Sequence, residues 1–298
     1  MATLRITSDG DPYPLKAGTG SNFSNDGVTD RIFATNSILD QSHDFTFTYR
    51  AGSNTKDPEL ASTIAPIGIT NTGIPIFTAG AQIRTLPVSS GSAPTGFTWN
   101  EVALPNDFVV DICSGKPDEN GQYTYRSGAF YTKGMVGNTK LFASNAYYSS
   151  TQMYGSFGSD KLRHGATSAS DTVTSGHSKI IGFAFDGYPI YGPYGFIDPN
   201  NAGSIVTRMR SSYDLLSLPA PGRGYDYSVF PAGSFIEDYV YNAQSSTGTL
   251  DEFNGRYCVT PDYKTGTYAY FLTFEDINLQ IPEYPYIIGP STREQRTA

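Results

Sequence analysis

The chain has 298 residues, enough for one large or two moderate cores, and only 16% of them are charged. Its net charge of −8 speaks against a nucleic-acid partner, because neutralising phosphates needs clustered Lys and Arg. No apolar run reaches the roughly 18 residues of a spanning helix, and Met1 to Gly10 lacks an apolar leader, so neither membrane insertion nor export by that route is expected.

Residues 1–60 read as an N-terminal β segment, in which Asp44-Phe45-Thr46-Phe47-Thr48-Tyr49 alternates with the period of a strand. A phrase then begins: Ile67-Gly68, followed by Gly73-Ile74-Pro75-Ile76-Phe77. It continues through Phe108-Val109-Val110-Asp111-Ile112-Cys113-Ser114-Gly115, Pro117-Asp118 and Gly121-Gln122-Tyr123-Thr124-Tyr125. Residues 144–178, rich in Ser, Thr, Gly and Tyr, suit a long surface excursion. The phrase then returns in the same order as Ile181-Gly182, Gly187-Tyr188-Pro189-Ile190-Tyr191, Asp251-Glu252-Phe253-Asn254-Gly255, Pro261-Asp262 and Gly266-Thr267-Tyr268-Ala269-Tyr270. Such self-similarity at over a hundred residues implies an internal duplication, with halves at 61–175 and 176–298. Strand-like alternation and Asn-Gly and Asp-Gly turns dominate, so the fold class is all-β, read as two related β-sandwich-like halves. Helical periodicity is confined to two short candidates, Ser212 to Leu216 and Ser234 to Val240.

The phrase from His177-Ser178-Lys179-Ile180 through Asp186-Gly187-Tyr188-Pro189-Ile190-Tyr191-Gly192-Pro193-Tyr194-Gly195 resembles the signature of the YHYH domain family. The resemblance continues through Leu250 to Tyr257 and Tyr268 to Phe271, covers about 177 to 290, and extends weakly back to about residue 62. The family takes its name from alternating Tyr and His, which would present two imidazoles on one strand face, a start for a metal site. Here Thr124 and Arg126, and Ala269 and Phe271, stand in those places. The family includes virion structural proteins of tailed phages that infect cyanobacteria. The resemblance therefore implies a non-enzymatic virion component, in the tail, fibre or baseplate, made in the host cytoplasm and assembled with other virion proteins. A homo-oligomer, with a trimer favoured, and no cofactor are expected.

Candidate site residues are few. Of the three histidines, His177 has the best claim: beside Asp186 or Asp251 its imidazole could act as a base or ligand, and the bland alternative is a hydrogen bond that organises the strand start. Asp251 and its counterpart Asp111, like Asp118 and Asp262, read first as turn caps. A calcium site in the Asp118 or Asp198 loop is the alternative. Tyr147, Tyr148 and Tyr154 form an aromatic cluster suited to a subunit contact or a host surface glycan. Two cysteines without CxxC spacing, Cys113 and Cys258, read as buried thiols, with their pairing left open. A carbohydrate-binding module and a metal-dependent enzyme remain as rival functions.

Overall fold

Each copy of the Gly-x-Pro phrase folds into a tight antiparallel hairpin in the computed structural model of the chain. In the first, β3 (Pro66–Thr70) pairs with β4 (Pro75–Phe77); in the second, β10 (Ile180–Ala184) pairs with β11 (Pro189–Tyr191). The cause is local. Gly73 and Gly187 hold φ of 83° and 94°, a left-handed conformation open to glycine and strained for other residues. Both turns close alike: Gly73 N–H donates to the Thr70 carbonyl at 3.0 Å, and Gly187 N–H to the Ala184 carbonyl at 2.9 Å. Each hairpin also shifts register at the matching place, between Pro66 and Gly68 and between Ile180 and Gly182. The structure describes residues 3–10, 39–48, 66–71, 73–85, 98–102, 115–118, 120–125, 172–173, 177–178, 180–217, 232–246, 248–275 and 282–294.

Both hairpins lie in one eight-stranded sheet. With β7 (Gly115–Pro117), β8 (Tyr123–Tyr125), β16 (Gly255–Cys258) and β17 (Thr267–Phe271), its order is β16-β17-β11-β10-β3-β4-β8-β7. That order reads alike from either end. Each end runs from an edge strand through a Tyr-x-Tyr strand to a hairpin, and the Tyr-x-Tyr strand joins the hairpin in parallel, Tyr270 opposite Ile190 and Tyr125 opposite Ile76. At the centre β10 pairs antiparallel with β3, Gly182 opposite Thr70 and Ala184 opposite Gly68. Glycine makes this approach possible, because a Cβ on Gly182 would lie 2.4 Å from the Ile69 carbonyl oxygen and one on Gly68 2.7 Å from that of Phe183.

Smaller sheets surround it. β1 (Thr3–Ser8) pairs with β2 (His43–Thr48), where the alternating segment was expected, and Arg5 and Asp44 join across them at 2.7 Å on the exposed side. β5 (Gly80–Thr85) pairs with β6 (Thr98–Val102); β12 (Tyr194–Phe196), β13 (Val206–Arg208) and β9 (Thr172–Val173) form a three-stranded sheet. β14 (Tyr213–Leu215) pairs with β15 (Tyr239–Tyr241). The chain is therefore all-β. One helical candidate needs correction: Ser212 to Leu216 holds strand β14, since cross-strand pairing with β15 outweighs a weak helical pattern. The other, Ser234 to Val240, contains a single 3-10 turn at Ile236–Asp238 and then enters β15. The strand expected at Phe108 to Cys113 and most of the 144–178 excursion lie outside the described residues.

Burial divides along the alternation of β17. Tyr268 and Tyr270 join a large core with Ile67, Ile76, Ile181 and Ile190. Ala269 and Phe271 join a second cluster with Tyr191, Met209, Leu250 and Cys258. Successive side chains of a strand point to opposite faces, so β17 carries a polar-tipped tyrosine face and an apolar one. Among the described residues no helix is long and apolar enough to cross a membrane.

Candidate functional site

The tyrosine face of β17 meets a buried carboxylate, Asp186, and a half-buried one, Asp251, each placed by its own turn. Asp186 opens the β10–β11 turn, where its Oδ1 accepts the Tyr188 N–H at 3.3 Å. Asp251 opens the turn before β16, and its Oδ1 accepts the N–H groups of Phe253 at 3.0 Å and Gly255 at 3.2 Å. Asn254 at the turn's tip has φ 63°, and its buried amide group donates to the carbonyls of Phe271 at 3.0 Å and Ile287 at 3.2 Å. Turn chemistry thus fixes the orientation of both acids within their own loops.

β17 then links them. Tyr268 Oη donates to Asp251 at 2.8 Å, and Tyr270 Oη donates to Asp186 Oδ2 at 2.5 Å. The two rings stand edge to face at 5.2 Å, and Tyr188 stands edge to face with Tyr268, also at 5.2 Å. A third acid, Glu294, enters from the C-terminal segment. It accepts the Tyr188 hydroxyl at 2.7 Å and donates its N–H to Asp186 Oδ2 at 3.3 Å, while Arg293 donates its N–H to Tyr270 Oη at 2.7 Å. Asp186 and Glu294 are each only 2% exposed, so both acids must be satisfied within the fold.

Burial governs the proton affinities. It pushes the Asp186 carboxyl up to about 6, with bonds from Tyr270, Tyr188 and Glu294 holding it back and the charge of Glu294 adding to the rise. Asp251 is raised by burial as well, offset chiefly by the Tyr268 hydroxyl. Burial also drives Tyr268 and Tyr270 well above the ordinary phenol range, so both remain donors. The arrangement can hold a proton on Asp186 up to about pH 6 and keeps both tyrosines protonated.

His177 lies on the other face. Its ring packs against Tyr191 at 5.0 Å, Phe196 at 4.9 Å and Phe271 at 5.9 Å, the last standing where the family's second imidazole would be. Nδ1 lies 2.7 Å from the Ser178 carbonyl, which can only accept, so Nδ1 carries the proton. Nε2 is buried without a hydrogen-bond partner among the described residues. Burial lowers this imidazole to about 4. Beside it Tyr191 donates to Asp262 at 3.0 Å and meets Thr260 Oγ1 at 2.8 Å, and the Arg256 guanidinium lies 5.7 Å over the Phe271 ring. Cys258 is a free, buried thiol, raised by burial.

Of the residues singled out in the sequence, Asp186 and Asp251 therefore share one network through Tyr268 and Tyr270. His177 joins neither: the sheet separates it from them. The turn cap at Asp118 appears as hydrogen bonds, its Oδ1 accepting from Asn120 at 2.8 Å and Gln122 at 2.9 Å. Asp198, named only for a calcium loop, also caps a turn, its Oδ1 accepting from Asn200 at 2.9 Å. Among the described residues no group of three or more His, Cys, Asp or Glu is arranged to hold a metal ion. Tyr147, Tyr148, Tyr154, Asp111 and Cys113 lie outside the described residues.

Sequence reasoning missed Glu294; Tyr188 and Tyr191, within the matched phrase, read as core tyrosines with hydrogen-bonded hydroxyls, and both are buried. Tyr188 stands where the first copy has Ile74, and Tyr191 where it has Phe77. Each added hydroxyl is hydrogen-bonded in the second half. No comparable signal marks Glu294.

Fold and site together define an all-β protein organised on one eight-stranded sheet, with a buried acid–tyrosine network beneath one of its two Tyr-x-Tyr strands. The family profile described as YHYH protein matches residues 44–281, and the chain belongs to that family. No match to the chain was found among curated proteins or among solved structures.

Proposed function

We propose that this chain is a non-enzymatic structural component of a phage virion, in the tail, fibre or baseplate, where it assembles as a homo-oligomer with other virion proteins. One observation carries the non-enzymatic part: the oxygens of Asp186 and Asp251 accept bonds from turn amides and from the tyrosines of β17, which makes them ties of the framework. The virion part is supported by the resemblance to cyanophage structural proteins. On this reading the repeated phrase is a duplicated framework, and function resides in the loops and surfaces it carries. Mass spectrometry of density-banded cyanophage particles encoding this chain tests the placement. Stoichiometric peptides from it are expected in the particle, and their presence only in the unassembled lysate would defeat the reading.

A second reading, recognition of a host surface glycan, is favoured by hairpin β14–β15. Tyr213, Tyr239 and Tyr241 share one half-buried face, braced by Tyr284 stacked at 4.0 Å on Tyr239. Flat aromatic faces with polar tips suit sugar rings. A glycan array with no signal would remove it.

A further inference from the structure

The C-terminal segment 291–294 is held as a bound peptide would be. Its main-chain N–H groups at Arg293 and Glu294 go to side-chain acceptors, Tyr270 Oη at 2.7 Å and Asp186 Oδ2 at 3.3 Å. These bonds read backbone and carry no residue preference. Two further contacts read side chains. The Arg293 guanidinium lies 5.7 Å from the ring centroids of both Phe253 and Tyr268, and the Glu294 carboxylate takes the Tyr188 hydroxyl at 2.7 Å. Inside the segment, Thr292 Oγ1 donates to the Glu294 carbonyl at 2.8 Å and fixes its curve. Peptide recognition commonly combines these elements, main-chain bonds for affinity and side-chain seats for choice.

Three facts set this segment apart from the framework. The family match ends at residue 281, so the segment falls beyond the shared region while every receiving residue lies within it. Its contacts with Asp186 and Tyr188 span 108 and 106 positions, so they are tertiary docking. Gly289 and Pro290 precede it, and Gly289 sits against backbone, its N–H donating to the Phe253 carbonyl at 2.9 Å.

We propose that the groove between Asp186, Tyr188, Tyr268 and Tyr270 is a peptide-binding site, specific for a curved segment carrying Arg followed by Glu, and that the chain's own residues 291–294 fill it in cis. A partner segment of the same chemistry would enter by displacing them. The proposal goes beyond the structural role above and does not depend on the virion placement.

The test uses the full chain with Arg293→Ala and Glu294→Ala together, so that the cis occupant loses both side-chain contacts. A fluorescent peptide with the sequence of residues 289–298 is added in trans and followed by anisotropy. The double variant is expected to bind it at least about ten-fold more tightly than the wild type, whose groove is occupied, with a peptide carrying both alanines binding neither. Adding Asp186→Asn and Tyr188→Phe should abolish the gain. Equal binding of both peptides, or no binding by a double variant that keeps its β circular dichroism, would overturn the proposal. Should the double variant not fold, hydrogen exchange on the wild type decides: addition of excess unlabelled peptide should lower protection at Arg293 and Glu294, and unchanged protection counts against a displaceable segment.

Discussion

Asp186 and His177 titrate in opposite senses against folding, and single substitutions should separate them. Asp186 is raised from 3.8 to about 6 by burial, so the folded state holds its proton longer than the unfolded chain. Its contribution is full below the unfolded value and is lost as pH rises through the folded one, which makes stability fall with rising pH across that window. His177 is lowered from 6.5 to about 4, so the unfolded chain takes up the proton first. Its contribution is present above the unfolded value and lost as pH falls through the folded one, which makes stability rise with pH over nearly the same window. Each pKa unit is worth about 1.4 kcal/mol, so each arm carries about 3 kcal/mol and the two nearly cancel in the wild type. Asp186→Asn removes the first arm. The unfolding free energy from urea titrations should then climb by about 3 kcal/mol relative to wild type between about pH 4 and pH 6.5. His177→Phe, which fits among Tyr191, Phe196 and Phe271, removes the second, and its stability should fall by a similar amount over that range. Three parallel curves would refute the reasoning, because they would mean that neither group changes its proton affinity on folding.

Other substitutions test the framework. Gly182→Ala puts a methyl group 2.4 Å from the Ile69 carbonyl at the centre of the sheet and should cost about 3 kcal/mol or more in chemical unfolding, whereas the exposed Gly203→Ala should cost under about 1 kcal/mol. Tyr270→Phe leaves Asp186 without its 2.5 Å donor and the Arg293 N–H without its acceptor; a loss of about 3 kcal/mol near neutral pH, smaller near pH 5 where Asp186 holds a proton, is expected in urea titrations. Asn254→Gly keeps the left-handed turn and loses the amide contacts, so it should cost less than Asn254→Ala, which loses both; thermal melts that rank them in reverse would count against the conformational part.

Much of the sheet was legible because its signals are local. The glycines at 73 and 187 require left-handed turns, the flanking Ile and Pro positions form short strands, and the matching phrases predict matching registers. Asp118 and Asp251 were legible as caps for the same reason, since an Asx turn is closed within a few residues. The joining of both phrases into one sheet was not legible. It depends on the mutual fit of Gly68 and Gly182 against each other's strands, which only the paired geometry reveals. Nor could spacing tell that His177 would face away from Asp186 and Asp251, because the face it occupies is set by its packing on Tyr191 and Phe271. Glu294 is the extreme case: its partner Asp186 lies 108 positions away, and nothing near either residue announces the other.

On the structural role proposed above, the acid–tyrosine network ties the framework together and does no catalysis. Native mass spectrometry of the full chain, purified without chelator and exposed to zinc and copper, reports chain stoichiometry and bound metal in one spectrum. A metal-free homo-oligomer, with a trimer favoured, is the predicted result. A monomer carrying one zinc or copper ion per chain would contradict it.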